Sequence, residues 1–294
     1  MNDAISLQTD RLKVEIWPLG ARLNGVWFDD IGSLVDGSAT EEDARGAKGY
    51  NGAVVGPVAN RIAGAHATID GRACVFEPNE RNRTTLHSGT AGVHTQHWTI
   101  VDRTEASLTL RLNLPDGQGG FPGNRTLHTI YALRDTELDV TFEASSDAPT
   151  WMNLALHPYW RLSKAGREGT HLYVAADSYL PVDADQIPTG EQASVDGTIF
   201  DLRDIKAPSP QIDHNFCLNT ASPEPAVAVK GDLGVEMQVH TTAPGMQVYS
   251  GRDIGIAIEP QHWPDAMHHA QFPSITLRPG ETYQQSSTYR FSRI

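Results

Sequence analysis

Residues 108–114 read Leu-Thr-Leu-Arg-Leu-Asn-Leu, and this stretch decides the fold class. A leucine stands at every second position, and each residue between two leucines is polar. Successive side chains of an extended strand point to opposite faces, so this spacing predicts a strand with one buried and one solvated face. Such half-solvated strands are typical of antiparallel sheets.

The same alternation recurs along the chain, which predicts an all-β protein. Apolar and polar residues alternate at 12–16, 138–144 and 235–239, and turn-forming clusters stand at 115–120 and 278–281. The 26 glycines and 18 prolines fit many turns. A short helix is predicted near 40–47. No linker composition divides the chain, so we expect residues 1–294 to form one antiparallel sandwich or barrel domain.

Composition excludes several classes of function. The chain of 294 residues carries 23 basic and 36 acidic side chains, a net charge of −13. Such a charge repels phosphate backbones and anionic lipid, so we expect no nucleic-acid partner and no membrane partner. No apolar run approaches the ~20 residues that span a bilayer. The two cysteines share no motif and the N-terminus does not resemble a signal peptide, which together predict a cytoplasmic protein with reduced thiols.

Two strand-like runs each end in a reactive side chain. Residues 151–157 end in His157, and residues 254–259 end in Glu259. In each run one face is a row of large apolar residues, and the opposite face is small until its last position. The small residues leave room for a ligand beside His157 and beside Glu259. A proton donor and a proton acceptor in such positions predict acid–base catalysis on a small molecule.

Other residues are weaker candidates for ligand contacts. The aromatic pair Tyr159-Trp160 follows His157, and we expect Trp160 to stack against a sugar ring, with a core position as the alternative. Arg61, beside Asn60, offers a planar fork of donors to an oxygen-rich ligand, and a structural ion pair is equally compatible with this stretch. His87 and Asp213 are weak signals when each is taken alone.

Metal and cofactor sites are not predicted. The chain has 12 histidines, but neither an HExxH motif nor another metal-ligand spacing occurs. Phosphate-binding glycine loops and the GxSxG nucleophile elbow are also absent from the sequence. We therefore expect a protein without a metal or an organic cofactor.

Several segments together resemble the aldose 1-epimerases, also called galactose mutarotases. Each segment is weak evidence alone, but nine of them occur in the family's order over nearly the whole chain. They are residues 59–64, 86–89, 121–124, 153–160, 187–191, 212–216, 259–266, 272–274 and 277–283.

The resemblance implies a fold and a set of site residues. The fold is a large antiparallel twisted β-sandwich, the galactose mutarotase-like supersandwich, with a sugar cleft on one sheet. The family's general base falls on Glu259 and its general acid on His157. Its sugar-binding residues fall on the following positions: Asn60, Arg61, His87, Asp213 and Gln247.

The implied reaction is the interconversion of the α and β anomers of a free aldose. Glu259 is expected to be ionised, and His157 is expected to be an imidazolium whose pKa is raised by nearby carboxylates such as Asp213. The partner is then a monosaccharide. The preferred aldose and the oligomeric state are not defined by the sequence.

Three other functions fit some of the same residues. A glycoside hydrolase could pair Asp213 with Glu259, although His157 would then have no role. A non-catalytic carbohydrate-binding protein needs only the cleft. A hexose-6-phosphate 1-epimerase would need basic residues at the rim, for which Arg161 and Arg252 are the candidates.

Overall fold

The structure is a computed structural model that describes residues 4–219 and 225–294. Within these ranges the regular elements are overwhelmingly strands, which confirms the all-β prediction. The strands are β1 (Ile5–Gln8), β2 (Leu12–Trp17), β3 (Arg22–Phe28), β4 (Val54–Val55), β5 (Arg61–Ile62), β6 (His66–Ile69), β7 (Arg72–Val75), β8 (Thr85–Leu86), β9 (Thr99–Arg103), β10 (Ser107–Leu114), β11 (Arg125–Arg134), β12 (Glu137–Ser146), β13 (Thr150–Trp151), β14 (Ala155–Leu156), β15 (Tyr159–Trp160), β16 (His171–Val174), β17 (Ser178–Tyr179), β18 (Ala193–Ser194), β19 (Asp213–Cys217), β20 (Val227–Lys230), β21 (Val235–Thr241), β22 (Gly245–Tyr249), β23 (Ile256–Gln261), β24 (Thr276–Leu277) and β25 (Tyr283–Arg293).

Helical structure is confined to short segments. The predicted helix near 40–47 is confirmed as α1 (Glu41–Arg45), whose N-cap Thr40 accepts the Asp43 N–H through its hydroxyl at 3.1 Å. No helix in the described ranges combines the length and apolarity that crossing a bilayer requires. The 3₁₀ turns are Ala63–Ala65, Gly89–Ala91, Val93–Thr95, Gln118–Gly120 and Ala266–His268.

One layer of the molecule is an eight-stranded antiparallel sheet. Its strand order is β16-β20-β21-β25-β12-β11-β10-β9. Residues 108–114 form β10 together with Ser107; all four of its leucines are buried, and Arg111 and Asn113 are exposed. The alternation therefore predicted both the strand and its buried face.

The opposite layer is a six-stranded sheet with the order β15-β23-β22-β19-β17-β18. The predicted continuous strand over 151–157 is wrong. Its pieces have different partners, since β13 pairs with β24 and β14 pairs with β4, while β15 joins the sheet beside β23. The predicted alternation survives this interruption, because Met152, Leu154 and Leu156 all lie in the main core.

The main core lies between the two large sheets. Met246, Val248, Ile256 and Ile258 of the six-stranded sheet belong to the same buried cluster as the inward residues of β12 and β25. Because these rows face the other sheet, the alternate residues of β22 and β23 are free to form a surface. The sandwich prediction is confirmed, and that outer surface is where the candidate site lies.

Candidate active site

A cleft of about 210 Å³ lies on the outer face of the six-stranded sheet. Its walls combine charged, amide, imidazole and phenol groups, so it suits a small ligand with many hydroxyls. The lining residues are Tyr50, Asn60, Arg61, Leu86, His87, His157, Tyr159, Asp213, Gln247, Tyr249 and Glu259.

Strand register brings the sheet residues of this cleft together. Gln247 on β22 stands opposite Glu259 on β23, and Tyr249 stands opposite Asp213 on β19. Directly opposite residues of an antiparallel pair have side chains on the same face, about 5 Å apart. Residues far apart in sequence therefore form a single row across the sheet. The predicted small face of the second run is also observed, since Ala257 lies between Ile256 and Ile258, which point into the core.

Two loop residues complete one wall in left-handed backbone conformations. Asn60 has φ of 63° and His87 has φ of 51°, a region that asparagine and histidine tolerate better than most residues. The Asn60 N–H donates to His87 Nδ1 at 3.1 Å, and the His87 N–H donates to the Asn60 carbonyl at 2.9 Å. Because Nδ1 accepts this hydrogen bond, His87 is neutral and carries its own proton on Nε2. Burial and the neighbouring His157 hold the pKa of His87 well below its usual value.

Arg61 and Gln247 hold Asp213 from two sides. Arg61 makes a two-pronged ion pair with Glu80, at 2.7 and 3.1 Å, and its Nη2 lies 3.5 Å from Asp213 Oδ2. Gln247 Nε2 donates to Asp213 Oδ1 at 2.7 Å. Arg61 therefore forms a structural ion pair and also lines the cleft, and its contact with a ligand stays a prediction.

His157 and Glu259 meet at the floor of the cleft. Their Nε2 and Oε1 atoms are 3.4 Å apart, and the residues are only 5% and 2% exposed. Burial raises the pKa of Glu259 well above its usual range, and the charge of Asp213 raises it further. Burial lowers the pKa of His157 to about 4, with smaller contributions from Arg252 and Arg22.

The expected rise in the pKa of His157 is therefore wrong in direction. Nearby carboxylates favour the charged form of a histidine, but the desolvation of this buried imidazole disfavours it and has the larger effect on the pKa of His157. The ion-pair contact with Glu259 opposes this desolvation, but 3.4 Å is long for a strong charge-assisted hydrogen bond. We therefore take the net direction to be downward for His157 and upward for Glu259.

Aromatic side chains enclose His157. The ring of Tyr50 stacks at 6.0 Å between centroids, Tyr159 lies at 5.3 Å, and His87 meets it edge-on at 5.4 Å. The backbone fixes its position, since the His157 N–H donates to the Ala53 carbonyl and its carbonyl accepts the N–H of Gly52. The backbone of His157 is thus fixed at both of its polar groups, and aromatic rings pack around the imidazole.

Trp160 is not in the cleft, so its predicted contact with sugar is wrong. It is fully buried between the sheets, with ring centroids 5.2 Å from Tyr289 and 5.9 Å from Phe291. The cleft residue is its neighbour Tyr159. Side-chain alternation explains why the tyrosine and not the tryptophan lines the cleft. Tyr159 lies two positions after His157 and shares its face, whereas Trp160 lies on the opposite face. Parity with His157 therefore identifies Tyr159 from the sequence alone.

Tyr50 had no comparable signal in the sequence. It lies in the loop after α1, between glycines, where no periodicity defines a face. Tyr249 and Leu86 also line the cleft and were not predicted to do so.

The cleft also contains a group of side chains that could hold a metal ion. One ligand atom each from His87, His157 and Glu259 lies within 4.8 Å of the other two. His87 could contribute only Nε2, since its Nδ1 accepts the backbone hydrogen bond. No local metal motif contains this set, because the three residues come from separate segments. The absence of a metal remains a prediction.

Comparisons with known proteins agree with the geometry. The family described as Aldose 1-epimerase matches residues 3–290. The chain is 34% identical over 325 residues to galactose mutarotase of Rattus norvegicus, covering 99% of this chain and 94% of that protein. It is 31% identical to the aldose 1-epimerase of Escherichia coli (strain K12), covering 87% and 84%.

Solved structures show the same fold. The crystal structure of a GalM/aldose epimerase homologue from C. elegans superimposes with a TM-score of 0.93 at 27% identity, covering all of both chains. Galactose 1-epimerase from Lactobacillus acidophilus NCFM gives a TM-score of 0.88 at 27% identity, covering 99% of this chain and 94% of that one. By sequence and by structure, this chain belongs to the aldose 1-epimerase family.

Proposed function

We propose that this protein is an isomerase that interconverts the α and β anomers of a free aldose. The observation that carries the proposal is the contact between His157 and Glu259, 3.4 Å apart at the floor of a cleft of about 210 Å³. This contact supports the proposal because a titratable acid and a titratable base then lie within reach of one small ligand. Family membership supports the same reaction.

Glu259 acts as the general base and His157 as the general acid. Glu259 takes the proton from the anomeric hydroxyl while His157 delivers one to the ring oxygen, and the bond between C1 and the ring oxygen breaks. Rotation about the bond between C1 and C2 then exposes the other face of the aldehyde. Ring closure returns both protons and yields the other anomer, so the reaction consumes nothing.

The burial of the pair favours ring opening. With the ring closed, the productive state is carboxylate and imidazolium, and opening converts it to carboxylic acid and neutral imidazole. Both states hold one proton on the pair. Burial destabilises the charged state, which makes Glu259 a stronger base and His157 a stronger acid than either is in water.

The remaining cleft residues hold the hydroxyls of the sugar. Arg61 and Asn60 supply donors at one wall, and His87 donates through Nε2. Asp213, oriented by Gln247, accepts from hydroxyls. We also propose a cytoplasmic location, which the two free cysteines, Cys74 and Cys217, support.

The test is anomer exchange measured by polarimetry and by NMR on glucose, galactose, xylose and arabinose. We expect Glu259→Gln and His157→Asn each to lower kcat by roughly 10²–10⁴, the usual value of one positioned proton transfer. Matched controls at exposed positions are Glu105→Gln and His171→Asn. Circular dichroism and sugar-binding titration verify the fold and the cleft. Exchange by Glu259→Gln at the wild-type rate would disprove the assignment.

A further inference from the structure

We propose that the sugar cleft continues into a second chamber that holds a glycosyl group attached to O6 of the aldose. Reducing disaccharides with a 1→6 linkage would then be substrates. This inference rests on the proposed function, because it takes the position of the sugar from the roles of His157 and Glu259.

The chamber is a separate cavity of about 280 Å³, larger than the sugar cleft itself at about 210 Å³. The two cavities share Tyr50 and Tyr159 as walls. The loop after α1, the turn around Thr90 and Arg252 form the rest. The lining residues are Ala44, Arg45, Gly46, Ala47, Gly49, Tyr50, Asn51, Asn79, Gly89, Thr90, His94, Thr95, Tyr159 and Arg252.

The shared walls are the rings that flank the general acid. Tyr50 lies 6.0 Å and Tyr159 5.3 Å from the imidazole of His157, measured between ring centroids. Because both shared walls pack against this imidazole, the chamber meets the cleft at the end where His157 lies.

The connectivity of a pyranose decides which substituent can reach the chamber. The ring oxygen is bonded to C1 and to C5, and C5 carries C6. With His157 at the ring oxygen and Glu259 at the anomeric hydroxyl, C6 lies on the far side of the ring oxygen from Glu259. A group on O6 is thus directed past His157 and between the two tyrosines, whereas groups on O2 and O3 lie across the ring from this opening.

The walls of the chamber suit a neutral sugar ring. Two tyrosines supply aromatic faces, and Arg252 lies over the ring of Tyr159 at 5.2 Å. The adjacent Asp253 pairs with Arg167 at 3.0 Å. No carboxylate is among the residues that line the chamber. Arginine donors and aromatic faces are the groups that hydroxyl-bearing rings contact.

A phosphate is a poorer occupant of the same space. The second guanidinium, Arg45, already contacts the Thr95 carbonyl at 3.4 Å and His97 Nε2 at 3.0 Å. Glu41 lies 4.0 Å from it. Arg252 alone, which already lies over the ring of Tyr159, is thin support for a dianion in a chain of net charge −13.

The experiment compares anomer exchange of glucose with that of melibiose, a reducing disaccharide with an α1→6 linkage. NMR exchange gives kcat/KM for both substrates with the wild type and with Ala47→Trp, which fills the chamber from an exposed loop position. We expect the wild type to act on both. Ala47→Trp should lose about tenfold or more in kcat/KM for melibiose while its value for glucose stays within about twofold.

The outcomes separate the two proposals. Exchange of glucose without exchange of melibiose by the wild type would overturn the chamber and leave the proposed function standing. Failure with every free aldose would overturn the proposed function. A third arm with glucose 6-phosphate tests whether the chamber holds a phosphate instead. If Ala47→Trp and Arg252→Ala lower kcat/KM for glucose 6-phosphate alone, the glycosyl occupant is rejected.

Discussion

At the scale of single residues, the chemistry of this site depends on how deeply two side chains are buried. Glu259 and His157 are both nearly inaccessible to solvent. Desolvation raises the pKa of Glu259 and lowers that of His157, so their order is the reverse of that in water. The carboxyl keeps its proton to higher pH, and the imidazole accepts one only in acid. The pair therefore holds a single proton over a wide range of pH, and the reaction needs one proton.

The pH profile follows from these directions. Below about 4 the pair takes up a second proton on His157, and no base remains. At alkaline pH the pair loses its only proton, because the pKa of Glu259 is raised well above the usual value of a glutamate. We expect kcat/KM to be flat through neutral pH, with its acid limb near 4, measured by polarimetry in a constant-ionic-strength buffer series. A decline centred near ~6.5, the pKa of a free imidazole, would contradict this prediction.

At the scale of elements, a buried arginine organises the loop that carries Tyr50. Arg22, at the start of β3, is fully buried and donates to the carbonyls of Ala44, Lys48 and Gly49 at 3.1, 3.0 and 2.9 Å. A further bond goes to the Asn51 carbonyl. Burial lowers its pKa to about 10, so it stays charged at neutral pH. The planar fork of donors explains why one side chain can serve a whole loop.

We expect Arg22→Met to act on stability and on sugar binding together. Several loop carbonyls would be left without a donor, which costs roughly 1–3 kcal/mol for each group that stays buried. Tyr50 would lose its fixed position, so KM should rise more than kcat falls. The measurements are thermal unfolding and steady-state anomer exchange.

Arg125 offers a matched control for this prediction. It is also buried, burial also lowers its pKa to about 10, and it donates to the carbonyls of Gly123, Pro115 and Gln118 in the loop between β10 and β11. It does not line the cleft. Arg125→Met should therefore lower the melting temperature and leave KM unchanged. An equal rise of KM in both variants would mean that Arg22 acts only through general stability.

At the scale of the whole molecule, the sheet that carries the site packs on a core to which distant parts of the chain contribute. The main buried cluster includes Ile5 and Leu7 near one end of the sequence and Phe291 near the other. Trp160 connects the two sheets through Tyr289 and Phe291. Buried area of this kind stabilises by about 25 cal/mol per Å² of apolar surface, so the two layers support each other.

This continuity supports the prediction that residues 1–294 form one domain. We expect a single cooperative unfolding transition in calorimetry, with equal calorimetric and van't Hoff enthalpies, because the main core takes buried residues from both large sheets. Intrinsic fluorescence and loss of anomer exchange should follow the same curve. Two separable transitions would show that the layers unfold independently.

Local patterns in the sequence were enough to predict the strands and their faces. Alternation at 108–114 predicted β10 and its buried row, and the isoleucines before Glu259 predicted which face of β23 meets the core. Alternation also contains the position of Tyr159, through its parity with His157. These features depend only on the geometry of an extended backbone, which any strand has wherever it lies in the fold.

The tertiary structure alone decided which residues meet and how they titrate. The 3.4 Å contact between His157 and Glu259, the presence of Tyr50 in the wall and the chamber beyond it come from pairing between distant segments. The pKa of His157 follows from the depth of burial that the assembled sheets impose. Proximity and desolvation are properties of the packed molecule, and no local stretch of sequence contains them.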